Sequence, residues 1–135
     1  MRKKAIQIVC LAIFLMVMIG CGKRQEKIEK IRDIPFRVLI EQEIPPELKE
    51  MIETQKEEGF QFTFADGENL YICIGYGKQL TGGYSISVSA LYETLNAVYV
   101  HANLIGPTPE EVKKEGISYP YLVIKTENTG KSVVF

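Results

Sequence analysis

Alternation of apolar and polar residues in several separate stretches constrains the fold of this chain more than any other feature of its sequence. Phenylalanines occupy every second position over 60–64, and apolar residues do so over 84–91 and 97–105. A period of two places alternate side chains on opposite faces of a strand, so each stretch predicts a β-strand with one buried face. The domain is therefore expected to be rich in short strands.

One helix is predicted ahead of these strands. Pro45 and Pro46 open a stretch that ends near Gly59, and Leu48, Met51 and Ile52 recur within it at helical spacing. The apolar stripe is narrow, so we expect this helix to lie on one face of a sheet.

The remaining stretches complete a β-rich fold. Strands are also predicted over 34–40, 69–75, 119–125 and 132–135, and a short helical turn is predicted over 108–116. In the first of these strands, Phe36, Val38 and Ile40 are expected to share one face. The predicted fold class is mainly β, a β-rich α+β domain built as a small antiparallel sandwich or barrel-like structure. One N-terminal amphipathic helix and one short helical turn complete it.

The N-terminus has the pattern of a bacterial lipoprotein signal peptide. Arg2, Lys3 and Lys4 precede an apolar run, and Gly20 stands immediately before Cys21. The run is short for a transmembrane helix and ends at a small residue, as secretory signals do. We expect residues 1–20 to be removed and Cys21 to carry lipid, which would hold the chain at the cell membrane on its extracytoplasmic side. A simple secretory signal or an uncleaved N-terminal anchor is the alternative interpretation.

Beyond the signal, the charged residues 21–33 predict a tether, or a short helix, ahead of a single domain over 34–135. Removal of the signal would leave 13 basic and 17 acidic residues, a net charge near −4. Because the net charge is negative and no basic patch is present in the sequence of the domain, nucleic-acid binding is not predicted. Cys73 would then be the one cysteine within residues 34–135. The apolar run around it predicts a buried structural thiol.

The stretch 75–84 is the most conspicuous local motif, with four glycines in its first nine residues. It predicts either a wide hairpin loop without a ligand or a recognition loop, since loops on a rigid scaffold often carry function. Tyr76, Lys78 and Thr81 would offer stacking area, charge and a hydroxyl group. The glycine spacing lacks the further positions that phosphate-binding loops need, so phosphate binding is not favoured.

His101 is the one histidine of the chain and is expected to face solvent in the middle of a strand. No second histidine and no Cys–His spacing predicts a metal site. Ser85, Ser87 and Ser89 share a neighbouring strand face, but no motif places a nucleophile on a sharp turn. We therefore expect no catalytic residues, no metal and no cofactor, and a function other than that of an enzyme.

Two blocks of sequence carry a resemblance to a known family. They are Gly75–Ile86, GYGKQLTGGYSI, and Ser118–Lys125, which contains Tyr-Pro-Tyr. With the strand that precedes them, they resemble the C-terminal domain of the protease complex subunit PrcB family over about residues 70–125. The resemblance implies a surface protein that associates with an extracellular protease and stabilises it. Many members resemble lipoproteins, which agrees with the signal ending at Cys21.

The segment Thr81–Tyr84 is also similar to a loop of chagasin-like cysteine-protease inhibitors, and this similarity supplies an alternative function. Those inhibitors are small β-sandwiches whose T-T-G-Y loop enters a protease cleft beside a second loop with an aromatic residue next to proline. Tyr119-Pro120-Tyr121 would take the second role here, whereas Gln79-Leu80 replaces the Asn-Pro of the inhibitors.

The predicted function is protein binding by a membrane-anchored lipoprotein, with a surface or secreted protease as the expected partner and the oligomeric state left open. The expected partner-binding residues are Tyr76, Lys78, Thr81, Gly82, Gly83, Tyr84, Tyr119, Pro120 and Tyr121, and the expected lipidation site is Cys21. Tyr76, Tyr84 and Tyr119 would be aromatic anchors, and Lys78 would supply charge at the rim. Packing in the core is the alternative for Tyr84 and Tyr119.

Overall fold

Ten strands and one α-helix are formed by the residues that the structure describes. The computed structural model describes residues 29–113 and 115–135. The strands are β1 (Lys30–Asp33), β2 (Phe36–Val38), β3 (Phe60–Asp66), β4 (Asn69–Gly75), β5 (Gln79–Thr81), β6 (Ser85–Thr94), β7 (Ala97–Ile105), β8 (Glu115–Ser118), β9 (Tyr121–Glu127) and β10 (Ser132–Val134). The helix α1 spans Pro46–Gln55, and single 3-10 turns lie at Glu41–Glu43 and Glu111–Lys113.

The strands form two four-stranded sheets that stack on each other. Sheet A has the order β1-β6-β7-β10, sheet B has the order β2-β9-β4-β3, and β5 pairs with β8 in a separate two-stranded ribbon. Between the sheets lies a core that includes Ile72 and Ile124 from sheet B and Val98 and Val100 from sheet A. The predicted sandwich is confirmed, and neither sheet of the described residues closes into a barrel.

Strand β4 is buried on both of its faces. Leu70, Ile72 and Ile74 enter the core between the sheets, whereas Tyr71 and Cys73 belong to a second apolar cluster on the far side of sheet B. Because both faces are covered, the strand has a continuous apolar run in place of alternation. Its neighbours β3 and β9 pair with it antiparallel over its full length.

Helix α1 covers the outer face of sheet B, as its narrow apolar stripe predicted. Leu48 and Ile52 are buried against Tyr71, Cys73 and Val123. The alternating phenylalanines of β3 belong to this same layer, with Phe60 buried and Phe62 and Phe64 packed at its margin. The domain therefore has three layers: sheet A, sheet B and helix.

Strands β6 and β7 form the long hairpin of sheet A. Their antiparallel register runs from Ser85 opposite Ile105 to Glu93 opposite Val98, with a bulge between Val88 and Ala90. The bulge inserts one residue and reverses the alternation. Leu91 is therefore buried in the core, although the alternation that starts at Tyr84 would place Ala90 on the buried face. Over β7 the predicted alternation holds, with Val98 and Val100 buried and His101 exposed.

The structure differs from the predictions at both ends of the domain. Lys30–Asp33, predicted as the end of the tether, is strand β1 and pairs with β6. In the following segment Ile34 and Leu39 are buried, whereas Phe36, Val38 and Ile40, which were expected to share one face, are all exposed. The last strand, β10, pairs with β7 in parallel, which makes the sandwich not purely antiparallel.

The predicted signal peptide over 1–20 and Cys21 lie outside the described residues. No helix within residues 29–113 and 115–135 has the length and apolar character needed to cross a membrane.

Candidate functional site

The glycine-rich segment and the Tyr-Pro-Tyr segment lie side by side at one end of sheet B. Gly75 stands opposite Tyr121 in the β4–β9 register. One residue further on, the main-chain N–H of Tyr76 donates to the carbonyl of Pro120 at 3.0 Å. The two segments that the sequence marked separately thus form one surface of the domain.

Three residues of the predicted glycine-rich loop, 79–81, form a paired ribbon with β8. Gln79 stands opposite Ser118 and Thr81 opposite Glu115, with an irregularity between them, because β8 has one residue more than β5. The Ser118 hydroxyl donates to the carbonyl of Thr81 at 2.6 Å, and the Gln79 amide donates to the carbonyl of Tyr76 at 3.2 Å. The interpretation of 75–84 as one wide loop was therefore wrong over 79–81. The partner strand β8 was not predicted.

The ribbon exposes two large apolar side chains that the sequence did not mark as functional. Leu80, in the middle of β5, is 80% exposed, and Ile117, in the facing part of β8, is 54% exposed. We call these two residues the ribbon patch. Burial of one such side chain stabilises a fold or a complex by about 1.5–3 kcal/mol. Because both side chains are largely exposed in the isolated domain, a partner that covers them would gain this stabilisation. Leu80 and Ile117 each stand alone between polar or small neighbours, so no periodic pattern in the sequence identified them.

The C-terminal end of α1 supports the start of the ribbon. The main-chain N–H of Lys78 donates to the carbonyl of Glu57 at 2.9 Å, and the Lys78 side chain is exposed. The Lys56 ammonium lies 5.0 Å from the centre of the Tyr119 ring and 2.8 Å from the Glu53 carboxylate. The hydrogen bond to Glu53 raises the pKa of Lys56 above its ordinary value. One face of the predicted anchor Tyr119 is therefore already occupied by a cation.

The other tyrosines of the site are partly built into the fold. Tyr76 packs at the margin of the core between the sheets, and burial raises the pKa of its phenol. Tyr121 is half-buried with its ring centre 6.3 Å from that of Phe60, and burial raises its pKa as well. Tyr84 is half-buried and precedes β6. Each of these rings thus leaves only part of its surface open to a partner.

Gly83 connects the ribbon to β6 in a conformation that a larger residue would not adopt easily. Its φ is +85°, in the left-handed region, and a Cβ atom placed there would lie 2.9 Å from the Cβ atoms of Pro107 and Glu111. The neighbouring Gly82 has no atom within 4 Å of such a Cβ. Gly83 is therefore needed to build the site, whereas Gly82 is open to substitution.

Outside this surface, the side chains that could take part in catalysis or metal binding lie on the surface or in the core of the domain. The ring of His101 stacks on Tyr92 at 5.8 Å between centres, and Tyr92 stacks on Tyr99 at 5.3 Å. The Ser89 hydroxyl donates to the main-chain carbonyl of His101 at 3.3 Å. Within the described residues no three His, Cys, Asp or Glu side chains are grouped to hold a metal ion.

Cys73 is fully buried in the layer between sheet B and the helix. Its thiol is free and its side chain has no exposed surface. Burial raises the pKa of the Cys73 thiol to about 12, so the group stays protonated at neutral pH. This position fits the predicted structural thiol.

Comparison with known proteins supports the resemblance drawn from the two sequence blocks. Residues 70–127 match the family described as PrcB C-terminal, and this range runs from the start of the core run in β4 to the end of β9. It contains the ribbon, the β6–β7 hairpin and the Tyr-Pro-Tyr segment. No curated protein and no solved structure gave a match. Over residues 70–127, the chain is therefore similar to the PrcB C-terminal family.

Proposed function

We propose that this chain is a membrane-anchored extracytoplasmic lipoprotein whose domain binds a surface or secreted protease without catalysing a reaction itself. The family match supports association with a protease complex. The observation that carries the binding surface is the ribbon patch, where Leu80 is 80% exposed on a strand pair that belongs to neither four-stranded sheet. Exposed apolar residues with a polar surround are typical of protein interfaces.

The partner would cover the ribbon patch and extend onto the tyrosines beside it. Leu80 and Ile117 would be buried in the complex, the open parts of Tyr76, Tyr84 and Tyr119 would contribute stacking area, and Lys78 would lie at the rim. Thr81, Gly82, Gly83 and the Pro120-Tyr121 segment would form the frame of this surface. A rim charge acts mainly on association rate and on selection among partners.

The membrane anchor is the second part of the proposal and rests on the sequence around Cys21. Metabolic labelling with a fatty-acid analogue in the native cell tests it directly. We expect incorporation into the full chain and loss of both incorporation and membrane retention in Cys21→Ser. Unchanged membrane retention of Cys21→Ser would contradict the lipid anchor and support an uncleaved apolar segment.

The binding surface is tested by crosslinking in the native cell with a photoreactive amino acid at position 78. We expect the captured protein to be a protease, and we expect Leu80→Ser with Ile117→Ser to reduce its capture at least tenfold. Leu95→Ser is the matched control, because Leu95 is 77% exposed and lies in the turn between β6 and β7. Equal capture by the ribbon variant and the Leu95 variant would contradict the proposed surface.

Protease inhibition through Thr81–Tyr84 is the alternative function. The ribbon restrains Thr81, since its carbonyl accepts a hydrogen bond from Ser118 at 2.6 Å, whereas a wedge loop needs a protruding tip. An assay with the purified domain and a panel of cysteine proteases separates the two functions. Slowed proteolysis that is lost in Gly82→Val would favour the inhibitor, and stabilisation of an active protease would favour the complex subunit.

A further inference from the structure

Sheet A is incomplete at the edge that lies above β3. Strand β10 pairs with β7 only from Ala97 to Tyr99, whereas β7 continues to Ile105. Among the described residues, no other strand pairs with β7 on this side over residues 100–105. We call this part of β7 the open edge.

The main chain of the open edge is available for hydrogen bonding. The Ser89 hydroxyl of β6 donates to the carbonyl of His101 at 3.3 Å, so the main-chain groups of His101 face β6. In an antiparallel strand, residues whose main chain faces the partner alternate with residues whose main chain faces away. Ala102 and Leu104 therefore direct their N–H and C=O groups away from β6, toward the position where a further strand would lie.

A small cavity lies directly beside the open edge. It measures about 110 Å³ and is lined by Ile74, Tyr76, Val100, His101, Ala102 and Phe135, the residue that follows β10. Gln61 of β3 lines it from below. The β3 residues on the side opposite the phenylalanines, Gln61, Thr63 and Ala65, are all exposed, and no strand in the described part of sheet A covers them. An added strand would close this gap in the sandwich.

The open edge also lacks the devices by which proteins usually prevent strand addition. Edge strands commonly carry charged residues or proline. On the opposite side of sheet A, β1 carries Lys30, Arg32 and Asp33. Strand β7, in contrast, has no charged residue and no proline from Ala97 to Ile105. Charged residues thus occupy the β1 edge of sheet A and are absent from β7.

We propose that the open edge of β7 binds an extended peptide segment of a partner protein as an added strand, with one aliphatic side chain of that segment in the cavity. An extended peptide supplies the alternating donors and acceptors that Ala102 and Leu104 require. Within the mixed lining of the cavity, the side chains of Ile74, Val100 and Ala102 give an aliphatic side chain its contacts. This surface shares Tyr76 with the ribbon site, but it does not depend on the ribbon binding a protease.

The test selects ligands from a displayed library of random nine-residue peptides against the full chain. We expect the selected peptides to alternate, with aliphatic residues at every second position. They should slow amide exchange at Ala102 and Leu104. Ala102→Pro, which removes one outward N–H while sparing the bonds to β6, should weaken binding about tenfold.

A second pair of variants avoids any change in β7 itself. Gln61→Phe would place a ring in the cavity mouth and should also weaken binding about tenfold, whereas Thr63→Phe, on the same exposed face of β3, should not. The proposal is overturned if selected peptides bind both β3 variants equally or leave exchange at Ala102 and Leu104 unchanged. It is also overturned if the amides of Ala102 and Leu104 are already protected from exchange without peptide. Protection in the monomer would mean that another segment of the chain covers the edge, and protection that depends on concentration would mean that a second copy covers it.

Discussion

Strand β4 and the ribbon lie within one family match and show opposite relations to solvent. Leu70 to Ile74 form an unbroken buried run, with Ile72 and Cys73 fully enclosed. Only a few residues further along the chain, Leu80 is 80% exposed. The apolar side chains of β4 hold the domain together, whereas Leu80 lies mostly in water. The difference separates the apolar residues of this domain that serve the fold from those that a partner could still bury.

The largest expected effect comes from paired truncations in these two regions. Ile72→Ala should lower the free energy of unfolding by about 2–5 kcal/mol, because it opens a cavity between the sheets. Leu80→Ala should change it by less than about 0.5 kcal/mol, because the side chain is already in water. Chemical denaturation of both variants measures the contrast. A loss above about 1 kcal/mol for Leu80→Ala would show that the ribbon patch is covered within the domain itself.

Adjacent glycines at the end of the ribbon give the next largest contrast. Gly83→Val should lower the free energy of unfolding by about 1–3 kcal/mol, since valine must adopt a positive φ and displace Pro107 or Glu111. Gly82→Val is the matched substitution one residue away and should be nearly neutral. Thermal unfolding of both variants measures the effect. Similar melting temperatures would mean that the segment around Gly83 rearranges without cost.

An ion-pair network at the margin of sheet A provides a region of intermediate exposure. Lys131 and Arg32 contact the Glu93 carboxylate at 2.7 and 2.8 Å, and the hydrogen bond from Lys131 is the main cause of a lowered pKa for Glu93. A carboxyl whose pKa is lower in the folded state adds stability above its unfolded pKa, and this is lost as the pH falls through the folded value.

We therefore expect Glu93→Gln to destabilise the domain at neutral pH and to flatten the fall in stability between about pH 5 and pH 3. Denaturation midpoints across this range measure it. Glu50→Gln, on the exposed side of α1, is the control and should leave the acid profile unchanged. An unaltered profile in Glu93→Gln would show that the network contributes nothing to the pH dependence of stability.

The smallest expected signal is the reactivity of Cys73 in the folded chain. Because burial raises the pKa of this thiol to about 12, a thiol reagent at neutral pH should modify it only as fast as the domain opens. Denaturant should restore rapid labelling. Fast labelling without denaturant would place Cys73 in a mobile part of the domain, in contrast to the enclosed position beside Ile72.

The centre of the fold could be predicted from sequence because its signals are periodic. The alternation of β3 and β7, the continuous run of β4 and the stripe of α1 each report burial directly. The sequence could not show that Lys30–Asp33 is a strand, since charged residues pair through their main chains at an exposed edge. Nor could it show the parallel pairing of β10, which depends on contacts between distant parts of the chain.

The sequence marked two segments of the candidate site, but not how they are built. The glycines and the Tyr-Pro-Tyr segment stand out by composition, and the structure brings them together at one end of sheet B. The ribbon itself was missed, since β5 and β8 have too few residues to show a period. For the same reason Leu80 and Ile117 carried no signal until their exposure was seen.

The position of β1 sets how far the domain can stand from a bilayer. The strand begins at Lys30 and is fastened to β6, so only residues 22–29 would separate a lipidated Cys21 from the folded body. Eight residues span at most about 30 Å when fully extended. If Cys21 carries lipid as proposed, the β1 end of the domain therefore stays within that distance of the bilayer.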